Sequence, residues 1–218
     1  MRTVKAASLV LDFDLYPRRN LDTGNIARMV DALQAGTELP PVITDRKSKR
    51  VVDGFHRVRT VLKLDKEGTI TIIEKTYRNE AAIFEDAVKY NAVHGAALDP
   101  NDRVRCLLIA EHLHIPLDRM AGALHMPVDK LSNLRNDRTA RTSGGLEVAL
   151  KRTIRHKAGQ RLTKEQVRVN DGLSGMNQAF YVNQIISLIE SDLLNKNDES
   201  LLERLRHLHG LLEGLLVD

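Results

Sequence analysis

The chain has 218 residues, of which 42% are hydrophobic and 28% are charged. This composition is typical of a globular protein and excludes wholesale disorder. Aromatic residues make up only 4% of the chain and Trp is absent, which excludes stacking on aromatic platforms as the main way of binding nucleic acid. The net charge of +4 permits binding to a polyanion.

Cys106 is the single cysteine of the chain, which excludes an internal disulfide framework and is typical of a cytoplasmic protein. It lies in an apolar stretch with helical spacing, so we expect a buried thiol rather than a reactive one. The sequence shows neither a signal peptide nor an apolar run of membrane-spanning length. No membrane partner is therefore expected.

The N-terminal part of the chain alternates short strands with helices. Leu9, Leu11 and Phe13 share one face of an extended segment, as in an edge strand. Strands are predicted over residues 9–13, 41–44 and 69–75, and helices over residues 25–34 and 80–94. This alternation indicates a small mixed-sheet domain in a protein of the α+β class.

Residues 51–62 predict a strand, a glycine turn and a helix in direct succession. Gly54 permits a close approach of the backbone that a side chain would block. His56, Arg57 and Arg59 then lie at or near a helix N-terminus, whose free N–H groups can bind an anion, and arginine adds bidentate contacts to phosphate. An ordinary strand-to-helix corner with solvated arginines is the alternative interpretation.

The segment 53–57 (DGFHR) resembles the glycine-arginine box of the ParB/sulfiredoxin superfamily, which holds nucleotide phosphates. Residues 15–19 (LYPRR) resemble the proline-arginine box, and residues 91–100 resemble the third box of ParB-like N-domains. Three boxes in the family's order identify a ParB-like N-domain, expected over residues 1–96. ParB-like regulators carry a helix-turn-helix after this domain.

The resemblance implies that the N-domain binds CTP together with Mg²⁺. Asn91 would lie near the magnesium ion. The residues implied around the triphosphate are Arg18, Gly54, His56, Arg57 and Arg59. The chain departs from the family at Tyr90, where the third box usually has Glu, and hydrolysis of CTP is therefore in doubt. Sulfiredoxin activity is not expected, because Phe55 stands where that enzyme has its cysteine.

A helical region with a helix-turn-helix is expected over residues 97–172. Asp99 followed by Pro100 predicts a helix start. Apolar spacing predicts two short helices over residues 117–124 and 128–136, with His125 in the turn instead of the usual glycine. A helical hairpin without a role in DNA binding is the alternative interpretation.

Cationic residues are concentrated after the second short helix. Residues 135–168 contain ten Lys and Arg against three Asp and Glu, and such a density next to a groove-reading helix is what neutralisation of DNA phosphates requires. The predicted DNA contacts are Lys130, Ser132, Asn133, Arg135, Arg138, Arg141, Lys151, Arg152 and Arg155. We expect double-stranded DNA as the partner and association with the nucleoid.

The C-terminal part changes character after Gly175. Residues 142–145 are expected to form a hinge, and helices are expected over residues 146–157 and 164–170. Residues 173–218 predict a helical hairpin. Its last helix carries Leu201, Leu205, Leu208, Leu212 and Leu215, with spacings of four and three residues. This seam is typical of a coiled coil and predicts a homodimer.

The first functional hypothesis is therefore a ParB-like DNA-binding protein that acts in plasmid or chromosome partition or in transcription regulation, and that responds to CTP. The alternative is a nucleotide-dependent enzyme of the superfamily, a kinase or a nuclease, which leaves the cationic segment unexplained. A third hypothesis is a structural adaptor whose N-domain has lost nucleotide binding.

Overall fold

The computed structural model describes residues 1–93 and 97–216, so part of the third box, residues 94–96, lies outside the described residues. The chain divides into two compact units, Met1–Gly172 and Leu173–Asp218. Among the described residues, no helix is both long and apolar enough to cross a bilayer.

A four-stranded mixed sheet forms the centre of the first part of the larger unit. Its strands are β1 (Arg2–Lys5), β2 (Val42–Asp45), β3 (Val51–Asp53) and β4 (Thr69–Lys75). The order is β1-β4-β2-β3, with β2 and β4 parallel and the other pairs antiparallel. All four residues of β2 are buried, as expected for a strand covered on both faces.

Helices cover both faces of this sheet. They are α1 (Thr23–Gln34), α2 (Phe55–Leu64) and α3 (Glu80–Val93). Val42 and Ile72 pack into a cluster with residues of α2, whereas Ile43 and Val52 pack into a cluster with residues of α3. The alternation of side chains along each strand therefore supplies two cores, one on each face.

The junction between β3 and α2 depends on Gly54, which has a φ of +107°. A Cβ at this position would lie 2.8 Å from Cγ2 of Val42, closer than carbon atoms pack. Only glycine therefore allows the chain to turn against β2, and the predicted succession of strand, glycine and helix is confirmed.

The edge strand predicted over residues 9–13 is wrong. The edge position beside β4 belongs to β1, residues 2–5, and the later segment contributes only an isolated bridge between Val10 and Arg50. Leu9 is buried in the cluster that contains α2, and Phe13 contacts the rings of Tyr16 and Phe55. The alternation of apolar residues thus reflects packing under α2 and not pairing in the sheet.

Three further helices pack on the same core as α3: α4 (Pro100–His112), α5 (Leu117–Leu124) and α6 (Val128–Asn136). Asp99 caps α4 and accepts hydrogen bonds from the backbone N–H groups of Asn101 and Asp102. The turn between α5 and α6 places His125 at φ +51°, a conformation that favours glycine. Both short helices begin and end at the predicted residues.

The segment after α6 forms a small sheet that the sequence did not predict. Its strands are β5 (Thr139–Thr142), β6 (Glu147–Ala149) and β7 (Arg161–Leu162), in the order β6-β5-β7. The helix expected over residues 146–157 is wrong, because Leu150 is buried beside Ala140 and Leu162 in this sheet, while Leu146 is 74% exposed. The expected hinge at residues 142–145 is the hairpin turn between β5 and β6.

A 3₁₀ segment (Arg152–Lys157) and α7 (Lys164–Gly172) complete the larger unit. The α+β class is confirmed, with a small sheet besides the helices after residue 97. The smaller unit consists of α8 (Gln178–Glu190) and α9 (Glu199–Leu216). Neither helix contains a buried residue among those that the structure describes.

Candidate nucleotide cavity and nucleic-acid surface

A cavity of about 780 Å³ lies in the larger unit, beside the N-terminal ends of α1 and α2. The predicted residues that line it are Arg18, Gly54, His56, Arg57 and Asn91. Arg59, on the exposed side of α2, does not line it. The first, second and third boxes thus meet around one space, whose size suits a small organic anion.

Arg57 is bound to the wall of the cavity. Its Nη1 donates hydrogen bonds to the carbonyl oxygens of Pro40 and Pro41, at 3.0 and 2.6 Å, and its Nη2 pairs with the carboxylate of Asp53. Three donor interactions of the guanidinium thus go to the chain itself. Arg57 fixes the entry to β2 and the Gly54 turn, and its charge is balanced by Asp53.

Asn91 is the residue that the family resemblance places near Mg²⁺. Its Oδ1 accepts a hydrogen bond from Nε of Arg18 at 3.1 Å, and its Nδ2 donates to the carbonyl of Ala87 at 2.9 Å. The amide oxygen therefore faces the guanidinium cation of Arg18. The described residues also contain no cluster of three His, Cys, Asp or Glu side chains that could hold a metal, and His94 lies outside them.

His56 joins the starts of α1 and α2. Its Nε2 accepts a hydrogen bond of 2.9 Å from the backbone N–H of Asp22, the residue that caps α1. Nε2 can accept only in the neutral imidazole, so the ring proton lies on Nδ1. Burial lowers the pKa of His56, and the nearby charge of Arg18 lowers it further. The hydrogen bond between His56 and the start of α1 therefore requires a neutral imidazole.

Tyr90 lines the cavity at the position where the family usually has Glu. Its hydroxyl accepts a hydrogen bond from Nζ of Lys75 at 2.6 Å, and Lys75 also pairs with Asp86 at 2.9 Å. A phenol held by an ammonium group supplies no carboxylate for activating water.

Helix α4 holds the first box through contacts that the sequence did not predict. Arg105 of α4 donates to the carbonyl oxygens of Phe13 and Tyr16, at 2.6 and 3.1 Å. The carboxylate of Asp102 accepts from the backbone N–H of Arg19 at 3.0 Å. These partners are more than 80 residues apart in the chain, so no local pattern could have indicated the contacts.

Cys106 of α4 adds a further contact to the first box, because its Sγ lies 3.5 Å from the carbonyl oxygen of Pro17. The side chain is fully buried, and burial raises the pKa of the thiol to about 12. The expectation of a buried, unreactive cysteine agrees with this geometry.

The second surface of interest is formed by α6. Leu131 is fully buried and fastens the helix to the core. Lys130 and Asn133 are exposed, and Ser132 is half-buried. The helix therefore presents polar side chains to solvent along the face opposite its anchor.

The cationic residues after α6 fall into two groups. Arg135 pairs with Glu147 of β6 and with Glu111 of α4, so it links elements of the fold. Arg138 and Arg155 converge on Oδ1 of Asn101, at 3.3 and 3.2 Å. Burial lowers the pKa of Arg155, and the charges of Arg138 and Arg152 contribute to the same effect.

The other predicted DNA contacts lie around the small sheet. Arg141, on β5, and Arg152, in the 3₁₀ segment, are exposed. Lys151 is half-buried, and its backbone N–H is bound to Oδ1 of Asn170 at 2.8 Å. Arg138, Arg152 and Arg155 thus form one arginine cluster beside the start of α4.

No protein-family model matches the chain. Transcriptional regulator NovG from Streptomyces niveus is 24% identical over 184 residues, which make up 83% of this chain and 49% of that protein. The chain thus spans about half the length of the curated relative that it matches.

Two solved structures of the C-terminally truncated chromosome-partitioning protein ParB from Caulobacter crescentus are also similar. The one complexed to the centromeric parS site is 15% identical and has a TM-score of 0.46, covering 62% of this chain and 71% of that one. The one complexed with CTP-gamma-S is 16% identical and has a TM-score of 0.37, covering 62% and 76%. The chain resembles ParB-like regulators.

Replacing His56 by Gln is expected to remove a pH-dependent part of the free energy of unfolding. As the pH falls below 6.5, the ordinary pKa of histidine, the unfolded chain takes up a proton before the folded chain does. The stability from neutral His56 is therefore present above pH 6.5 and is lost as the pH falls toward the lower pKa of the folded state. The free energy of unfolding of the wild type should fall by about 1 kcal/mol through this effect, which is the typical contribution of one hydrogen bond.

Urea unfolding at about pH 7 and about pH 5.5 measures this effect. The decrease between the two pH values should be smaller in His56→Gln than in the wild type, and unchanged in the control His156→Gln, whose side chain is exposed. Equal decreases in the wild type and His56→Gln would contradict the assignment.

Proposed function

We propose that this protein is a regulator that binds a specific sequence of double-stranded DNA through α6. The observation that carries the proposal is the exposed polar face of α6, which presents Lys130 and Asn133 while Leu131 holds the helix in the core. A second helix of a closely packed pair, exposed in this way, fits the major groove of DNA. Asparagine can make a bidentate contact with adenine, and lysine can contact guanine.

The arginine cluster of Arg138, Arg152 and Arg155 supports the same proposal. Like charges gathered in one place destabilise a fold unless an anion compensates them, and Arg155 is already partly desolvated. DNA phosphates beside the groove would supply that compensation. Transcription regulation is the process that the curated relative favours, because that protein is named a transcriptional regulator, and partition is the alternative suggested by the resemblance to ParB.

Substitutions in α6 and in the arginine cluster should have different effects on DNA binding. After the site is found by selection from random duplexes, Asn133→Ala should cost about 1–3 kcal/mol and relax the preference at one base pair. Arg152→Ala should weaken binding to all duplexes alike and reduce the salt slope by about 1. The measurement is a titration of labelled duplexes at several salt concentrations.

Lys66→Gln is the matched control for these substitutions, because Lys66 is an exposed cation in the turn between α2 and β4. It should leave affinity and salt slope unchanged. If Asn133→Ala and Arg152→Ala both bind like the wild type, α6 does not read DNA and the proposed function is wrong.

We further propose that the cavity binds CTP, the nucleotide that the boxes of the resembled family hold. The phosphates would contact the N–H groups at the start of α2, next to Gly54, and the guanidinium of Arg18. A phosphate at Arg18 would compete with Oδ1 of Asn91, which accepts from the same side chain. Displacement of Arg18 by a phosphate would leave that oxygen available to a cation, so we propose that CTP binds together with Mg²⁺.

CTP should therefore raise the melting temperature of the protein more in Mg²⁺ than in EDTA. Arg18→Ala should abolish the increase, because it removes the cation that faces the phosphates. Arg59→Ala is the control, since this arginine does not line the cavity, and it should respond like the wild type. Equal stabilisation in Mg²⁺ and in EDTA would overturn the proposed role of magnesium, and no stabilisation under any condition would overturn CTP binding.

The smaller unit is proposed to form a homodimer. Its helices expose large apolar side chains, among them Leu211, Leu212 and Leu215, at 59%, 42% and 75%. Two helices without a buried residue need a partner surface to be stable, and the leucine seam of α9 is self-complementary. A dimer would also place two copies of α6 on two half-sites of DNA.

Leu215→Asp should convert the dimer into a monomer, because it places a charge in the apolar seam. Its side chain is largely exposed within one chain, so the substitution should not damage the fold of the protomer. His207→Asp, at an exposed position outside the seam, should leave the dimer intact. Sedimentation equilibrium distinguishes these outcomes, and a wild-type protein that is monomeric at tens of micromolar would refute the proposal.

A further inference from the structure

A β-hairpin follows α6 directly. It consists of β5 and β6, and its position relative to α6 is fixed by several contacts. Arg135, in the last turn of α6, pairs with Glu147 of β6, and Oγ1 of Thr139 donates to the carbonyl of Arg135 at 2.9 Å. The backbone N–H of Leu150 donates to the carbonyl of Arg138 at 2.7 Å. The hairpin is therefore tied to the end of α6 by side-chain and backbone contacts.

The tip of this hairpin extends into solvent. Residues 143–146 are all exposed, and Leu146 is 74% exposed. The turn is well defined, because the backbone N–H of Thr142 donates to Leu146 at 2.7 Å and that of Gly145 donates to Thr142 at 3.0 Å. An ordered tip with an exposed leucine thus lies beside the helix that is proposed to read DNA.

The charges on the hairpin are unbalanced. Arg141 of β5 stands opposite Arg161 of β7 in the parallel pair and opposite Glu147 in the antiparallel pair. Glu147 is already paired with Arg135. Among the described residues, no ion pair involves Arg141 or Arg161, and both are exposed. Like charges directly opposite each other destabilise a sheet, so the pair is suited to an anion from outside the chain.

We propose that this hairpin and the adjacent strand β7 form a second DNA-binding element, which places Arg141, Arg161 and Leu146 against the phosphates and the minor groove next to the segment that α6 reads. The inference rests on the proposed function of α6. Arginine is favoured in the minor groove, where the negative potential is concentrated, and apolar side chains contact the sugars and bases there. The ion pair of Arg135 with Glu147 holds the hairpin beside the end of α6.

The double variant Arg141→Gln/Arg161→Gln tests this proposal. It should bind the selected duplex at least tenfold more weakly, with a salt slope reduced by about 2, since two cations no longer meet phosphates. Hydroxyl-radical footprints of the wild type should show a protected minor groove flanking the site, and the variant should lose that protection. Removal of the opposed charges should not lower the melting temperature.

Lys63→Gln/Lys66→Gln carries the same change of charge at exposed positions of the first part of the unit and should bind like the wild type. If the arginine variant were unfolded, Leu146→Asp would replace it, because an acid at the exposed tip should repel DNA and reduce affinity to a similar extent. If the hairpin variants keep wild-type affinity and footprint while Asn133→Ala binds more weakly, the hairpin proposal alone is overturned. Retention of binding in all of them would overturn the proposed function of α6.

Discussion

The shape of the cavity depends on the hydrogen bonds between α4 and residues 13–19. This segment has no regular hydrogen-bond ladder, and buried backbone groups without partners are costly. Arg105 supplies donors for two of its carbonyl groups, and Asp102 supplies an acceptor for one of its N–H groups. A helix that follows the sheet domain in the chain thus completes one wall of that domain, which explains why residues 1–172 form one compact unit.

Arginine has two physical roles in this protein. Arg57 and Arg135 use the planar fork of the guanidinium to join distant parts of the fold, and each pairs with a carboxylate. Arg141 and Arg161 are exposed and oppose one another. The first group fixes geometry, and the second group leaves positive charge available at the surface. A count of cations along the chain does not separate these roles, because only the folded structure shows which carboxylates come near.

Local patterns predicted the parts of the fold that are determined locally. The succession of β3, Gly54 and α2, and the limits of α5 and α6, follow from apolar spacing and turn residues. The pairing of β1 with β4 joins segments more than 60 residues apart, and the contact of Arg18 with Asn91 spans 73 residues. Such contacts leave no local trace. Residues 146–157 have apolar residues at helical spacing, but no α-helix forms there. Leu150 is buried beside the small sheet, and Leu146 is exposed at the tip of the hairpin.

The parts of the candidate site also differ in whether they could be predicted from the sequence. The residues at the start of α2 could be named from the sequence because a glycine turn before a helix creates donors wherever it occurs. The neutral state of His56 could not be named, since it depends on a backbone N–H group 34 residues away. The hydrogen bond from Arg18 to Asn91 could not be predicted from the sequence either, although Asn91 was recognised from its motif.

Cys106 gives this architecture a built-in reporter. It is the single cysteine of the chain, and its sulfur lies between α4 and the backbone of Pro17. A thiol reagent can reach it only when the helix separates from that loop, and local openings of this kind have their own free energies. The rate at which Cys106 is labelled would therefore report how often this wall of the cavity opens. No cysteine would have to be introduced for the measurement.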